Sequence, residues 1–82
     1  MLKAEICITL KKTVADPQGL TIKQALESMG YQGLEKVRIG KFIIIELSGR
    51  NKVSAQKEAE EMCAKLLANP IIEDYRIEIK ED

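Results

Sequence analysis

Val37-Arg38-Ile39-Gly40-Lys41-Phe42-Ile43-Ile44-Ile45-Glu46-Leu47 decides how the rest of the chain is arranged. It contains the only phenylalanine in the sequence and its densest β-branched run. Val37, Ile39, Ile43, Ile45 and Leu47 share one parity, broken only by Lys41, and Arg38, Gly40, Phe42, Ile44 and Glu46 share the other. Alternation of period two with β-branched residues predicts a strand. Gly40-Lys41 could instead form a two-residue hairpin turn. That turn would pair Ile39 with Phe42 and Val37 with Ile44, and would bring the charged Glu46 onto their face. A continuous strand, bent or bulged at Gly40, keeps the apolar parity and sends Glu46 outward, and it is the reading adopted.

Taken as about thirteen residues with its flanks, such a strand spans roughly 43 Å. A compact domain of this length has a radius of gyration of about 12 Å. One end of the strand is therefore expected to outrun its own subunit, and an overhanging apolar strand invites aggregation unless another chain covers it. The expectation is a homodimer or tetramer built through Ile39, Ile43, Ile45 and Leu47.

Towards the N-terminus, Lys3 to Lys11 alternates, with Ala4, Ile6, Ile8 and Leu10 inward. This is the pattern of a half-buried strand. Asp16-Pro17 reads as a helix N-cap followed by proline at the first helical position. Ile22, Ala25, Leu26 and Met29 then form an amphipathic stripe, closed by Gly30. Gly19 in the first turn reads either as a tolerated glycine near a helix end or as a close approach of another backbone or a ligand. Towards the C-terminus, Ser48 to Lys52 supplies turn residues. A second helix starts at Ser54 or one turn earlier at Asn51, with Ala55, Ala59, Met62, Cys63, Leu66 and Leu67 as its buried stripe. Asn69-Pro70 stops it. Ile71 to Lys80 is the last strand, with Ile71, Tyr75, Ile77 and Ile79 on one face beside Glu73. The order is β-α-β-α-β, or β-α-β-β-α-β if Gly40 divides the middle strand, which is ferredoxin-like. Either way a single α+β domain over residues 1–82 is expected, with two helices on one face of an antiparallel sheet and a long bent central strand.

Composition narrows the function. The chain has 82 residues with 13 basic and 13 acidic side chains, so its net charge is zero. Interspersed, balanced charge argues against nucleic acid, which needs a basic excess on one face. There are three aromatics and no tryptophan, too few for base stacking. Histidine is absent, which removes most nucleophilic triads and zinc sites, and no catalytic or metal-ligating constellation is expected. Cys7 and Cys63 lack metal-ligand spacing and read as reduced thiols on opposite sides of the sheet, which fits a cytoplasmic protein. The first residues read as strand rather than leader, and no apolar run is long enough to cross a membrane. A Walker-type phosphate loop is missing, since Gly40-Lys41 lacks the upstream glycine. The residues alone describe a small association module.

Three blocks carry a family resemblance: Asp16-Pro17-Gln18-Gly19, Val37-Arg38-Ile39-Gly40-Lys41, and Met62-Cys63-Ala64-Lys65-Leu66-Leu67-Ala68-Asn69-Pro70-Ile71-Ile72-Glu73-Asp74-Tyr75. In this order they closely resemble the PurS family, the small subunit of phosphoribosylformylglycinamidine synthase, over essentially the whole chain. The resemblance implies a non-catalytic subunit in de novo purine biosynthesis. It would join a synthetase and a glutaminase subunit that together convert formylglycinamide ribonucleotide, glutamine and ATP to formylglycinamidine ribonucleotide, glutamate, ADP and phosphate. ATP and Mg would be used by the synthetase, with no cofactor on this subunit. A part in directing ammonia between the sites fits such a place. Arg38, Gly40, Lys41, Asn69, Pro70 and Glu73 are the candidates for subunit contact, beside simpler readings as solvated strand charges and helix-stop residues. Two rivals from other classes are a dimeric small-molecule-sensing regulatory domain and a small acylphosphatase-like enzyme. The second lacks the anion-cradling loop, because Lys11-Lys12-Thr13-Val14-Ala15-Asp16 offers neither Arg nor Gly.

Overall fold

The computed structural model describes residues 1–81. Strand β1 spans Leu2–Leu10, helix α1 Pro17–Ser28, strand β2 Gly40–Leu47, helix α2 Lys52–Met62, and strand β3 Glu73–Glu81. A π-helical turn, Cys63–Leu67, continues α2. The sheet is antiparallel with order β2-β1-β3, so the first strand is central. This is the α+β, ferredoxin-like layout that the alternation of elements implies.

Register fixes the two faces. Ala4 lies between Ile45 and Ile79, Ile6 between Ile43 and Ile77, and Ile8 between Lys41 and Tyr75. These pairs form the inner face, and Ala4, Ile6 and Ile8 are fully buried. Ala55, Ala59 and Cys63 of α2 and its π turn close over them. Small residues at 55 and 59 let the helix lie close to the β-branched strands. The outer face carries Lys3, Glu5, Cys7 and Thr9, flanked by Phe42 and Ile44 on β2 and by Arg76, Glu78 and Lys80 on β3. Lys80 binds Glu5 at 3.0 Å and Glu78 at 3.5 Å across it. Cys7 and Cys63 are free thiols on opposite faces.

Caps form where the sequence places them. Asp16 accepts from the Gly19 amide at 2.8 Å. Of the two possible starts of α2, Asn51 is the one used, accepting from the Ser54 amide at 2.8 Å. Gly30 follows α1 with φ of 99°.

Three expectations are corrected. The strand expected to be long and central lies instead at the edge of the sheet, because β1 pairs on both of its sides, and it is shorter than its apolar parity implies: Val37, Arg38 and Ile39 fall outside β2. They have no ladder partner among the described residues, and the Ile39 amide is taken by Asp16. Leu66 is 83% exposed rather than buried. The π turn adds one residue to the helical repeat, which rotates Leu67 and Ala68 inward and Leu66 out. Ile71 lies in the turn before β3 and is also exposed, so the last strand begins two residues later than its pattern suggests.

Helix α1 stands apart from this core. Gly19 is its only buried residue, while Ile22 and Met29 of the predicted stripe are 39% and 70% exposed. The molecule is accordingly elongated, 50 × 29 × 15 Å, with a radius of gyration of 16.2 Å against about 12 Å for a compact domain of this length.

Candidate functional site

The three blocks of the resemblance meet at one end of the sheet, where β1 ends, β2 begins and β3 begins. They surround a cleft of ≈ 320 Å³ whose lining includes Ile8, Asp16, Gln18, Ile39, Lys41 and Glu73.

Asp16 organises one wall. Oδ1 accepts from the Gly19 amide and Oδ2 from the Ile39 amide, both at 2.8 Å. One carboxylate therefore caps α1 and pins the segment leading into β2. The Ile39 amide, then that of Gly19, holds the Asp16 carboxyl below the usual carboxylate range, and the nearby Arg38 guanidinium adds to this. Gly19 proves to be a close approach: a Cβ there would collide with the Val37 carbonyl oxygen. Arg38 donates from Nη2 to the carbonyls of Lys11 at 2.8 Å and Val14 at 2.9 Å, closing the β1–α1 loop. Gly40 is the second enforced glycine, since a Cβ there would sit 2.6 Å from the Ile8 carbonyl oxygen.

The opposite wall is the helix stop. Glu73 Oε1 accepts from the Asn69 amide at 2.7 Å, and the Glu73 amide donates to the Asn69 carbonyl at 2.7 Å. Asn69 Oδ1 accepts from the Ile71 amide at 3.1 Å, folding the chain around Pro70. Lys41 bridges the walls. Its Nζ lies 3.5 Å from the Leu67 carbonyl at the helix end and 3.8 Å from Glu73 Oε2. A cation there complements the exposed carbonyls of a helix C-terminus, which explains why a lysine interrupts the apolar parity of the strand. Lys11 ties the same corner to β3, from its amide to Ile72 O and from Nζ to Asp74, both at 2.8 Å.

The structure thus gathers Arg38, Gly40, Lys41, Asn69 and Glu73 with Ile39 around one corner, and Pro70 lies in its turn. Ile43, Ile45 and Leu47 run away from it along the inner face of β2. Sequence reasoning missed the second oxygen of Asp16 and the Lys11–Asp74 pair. A capping signature announces only the local acceptor, and contacts across 23 and 63 residues leave no local signal. Among the described residues no group of three or more His, Cys, Asp or Glu could hold a metal ion, and no helix is long and apolar enough to cross a membrane.

A small ferredoxin-like α+β chain, in which Asp16, Arg38, Lys41 and Glu73 hold backbone corners, fits the class of an association subunit. Comparison narrows it further. The PurS family model, described as phosphoribosylformylglycinamidine (FGAM) synthase, matches residues 3–81. A PurS subunit of Methanocaldococcus jannaschii is 44% identical over 99% of this chain and 98% of its own, and one of Bacillus subtilis is 47% identical over 99% and 95%. The solved M. jannaschii PurS superposes with a TM-score of 0.90, at 43% identity, over 100% of this chain and 99% of that one. The structure described as PurLQS from Thermotoga maritima matches at a TM-score of 0.85 and 32% identity, over 98% and 99%. The chain belongs to the PurS family, the small subunit of phosphoribosylformylglycinamidine synthase in purine biosynthesis.

Proposed function

We propose that this chain, acting over residues 1–82 as one domain and as a homo-oligomer in the cytoplasm, joins the synthetase and glutaminase subunits of phosphoribosylformylglycinamidine synthase. It performs no chemistry of its own, and ATP and Mg serve the synthetase. The reading is supported by the full-length match to the T. maritima PurLQS structure. The observation that carries the choice of contact surface is the corner where all three blocks converge. Arg38, Gly40, Asn69 and Glu73 build that corner from beneath, while Lys41, 56% exposed at its side chain, and Pro70 present it outward. Ile39, Ile43, Ile45 and Leu47 belong to the self-association strand.

Reconstitution tests this. Adding the chain to purified synthetase and glutaminase subunits is expected to restore glutamine-dependent amidation, with no glutaminase or ATPase activity from the chain alone. Lys41→Ala, with an unchanged circular dichroism spectrum and sedimentation coefficient, is expected to weaken co-sedimentation with the synthetase. Full activity of the two large subunits without the chain would overturn the function. Unimpaired binding by Lys41→Ala would move the contact surface elsewhere.

A further inference from the structure

The turn between the end of the second helix and β3 satisfies its own polar groups. The Asn69 amide donates to Glu73 Oε1 at 2.7 Å. Pro70 has no amide to place. The Ile71 amide donates to Asn69 Oδ1 at 3.1 Å, and those of Ile72 and Glu73 donate to the Asn69 carbonyl at 3.1 and 2.7 Å. Every backbone donor from 69 to 73 is thus placed inside the turn. The Ile72 carbonyl accepts from the Lys11 amide at 2.8 Å, which ties the turn to the end of β1. Lys41 braces Glu73 from β2 at 3.8 Å.

At the tip of this braced turn stands Ile71, 81% exposed. It shares the parity of Tyr75, Ile77 and Ile79, and a strand begun two residues earlier would have carried it onto the inner face. The hydrogen bonds around Asn69 start the strand at Glu73 instead and leave the isoleucine outside. A lone apolar side chain on a loose surface loop is ordinary. An apolar side chain held on a rigid turn is different, because little conformational freedom is lost when a partner covers it. The charges around the tip are mostly paired: Lys11 with Asp74 at 2.8 Å, and Lys41 with Glu73. Lys12 is the exception. It is exposed, directly follows Lys11, and has no ion-pair partner among the described residues.

We propose that Ile71 is the anchor by which this chain docks on the synthetase subunit, entering an apolar pocket there while Lys12 meets an acidic group on the pocket rim. The inference rests on the joining function proposed above and names the side chain that carries it. The tip is continuous with the contact corner: Pro70 is the neighbour of Ile71, and Glu73, the partner of Lys41, closes the same turn. An apolar knob with one unpaired positive charge beside it complements a concave apolar surface with an acidic rim, and a few such anchors carry most of the binding at an interface. The alternative host is a second copy of the chain, through the apolar groove beside α2 lined by Ile45, Met62, Leu66 and Leu67. Sedimentation of the chain alone reads that outcome.

The test sediments full-length chains with the purified synthetase subunit, the glutaminase subunit being present. Ile71→Ala is expected to weaken co-sedimentation about tenfold to thirtyfold, and Ile71→Leu to keep most of the wild-type binding. Lys12→Glu is expected to weaken it more at low salt than at high salt. Val53, 79% exposed at the start of α2 and so at the other end of the sheet, is the control, and Val53→Ala is expected to bind as wild type does. Because Ile71 lies outside the core, Ile71→Ala alone is expected to match the wild type in circular dichroism and sedimentation coefficient. If the wild-type chain does not co-sediment with the synthetase, the joining function itself fails. If it does, and Ile71→Ala binds equally well or Val53→Ala loses as much, the anchor alone is overturned. A lowered sedimentation coefficient for Ile71→Ala by itself would assign the tip to a second copy and overturn the anchor as well. Binding of Lys12→Glu at the wild-type level in low salt would overturn the acidic rim.

Discussion

Asp16 shows how much one side chain settles. Two backbone amides, from α1 and from the approach to β2, converge on its carboxylate. Because they favour the charged form, its folded value lies below the ordinary carboxylate value near about 4. The sign follows from linkage: the unfolded chain binds the proton more readily, so this contribution is complete above about pH 4 and is lost as pH falls through the lowered folded value. Asp16→Asn is expected to lower the denaturation midpoint at neutral pH, with the gap to wild type closing in acid. Urea titrations at several pH values check it, and a gap independent of pH would contradict the assignment. Gly19→Ala forces a methyl into the Val37 carbonyl and is expected to cost about 1–3 kcal/mol, as is Arg38→Ala through two charged hydrogen bonds to backbone. At Cys63, desolvation chiefly, with Glu60 adding to it, pushes the thiol up. It is expected to react with a thiol reagent only on unfolding, whereas the half-buried Cys7 is expected to react in the folded protein.

At the scale of elements, the strands and helices were legible because their periodicities are clean. Ala4, Ile6 and Ile8 alternate as written and are buried, and Asp16-Pro17 and Gly30 bound α1 to within a residue. The site was legible as three sequence blocks. Their convergence was not, because it depends on Lys41 reaching the end of α2 and on Asp16 reaching Ile39. Two elements departed from their pattern for physical reasons. The π turn shifted the phase at Leu66, which no apolar spacing reveals. Residues 37–39 kept strand parity but found no ladder among the described residues. Ile45, between Ala4 of β1 and the groove beside α2, tests the inner face directly. Ile45→Asp removes apolar packing and places a charge there, at an expected cost of ~2 kcal/mol or more. Glu46→Gln, one residue on but facing outward, is expected to stay within about 0.5 kcal/mol of wild type. Equal effects at the two positions would refute the assignment of faces.

At the scale of the molecule, the decisive property is its shape. An 82-residue chain extended over 50 Å, with a radius of gyration of 16.2 Å, leaves much of its apolar surface uncovered. Among the described residues its core consists of nine buried apolar side chains, four of them alanine. Small domains have little stability to spare even when compact, so in the proposed homo-oligomer contacts between protomers would be part of the fold rather than an addition to it. When only the assembled form is well folded, dissociation and unfolding are one process, and mass action makes the transition depend on protein concentration. The thermal midpoint is therefore expected to rise steadily with concentration over a hundredfold range. Ile45→Asp, which damages the inner face of β2, is expected to lower the sedimentation coefficient and the midpoint together. Lys41→Ala, whose side chain turns to the helix end and Glu73 rather than into the apolar face, is expected to preserve the concentration dependence. Calorimetry at several concentrations, paired with sedimentation of the same samples, reads both quantities. A midpoint independent of concentration, in a species that remains oligomeric, would mean that the protomer holds together without its partner and that the uncovered α1 stripe needs another explanation.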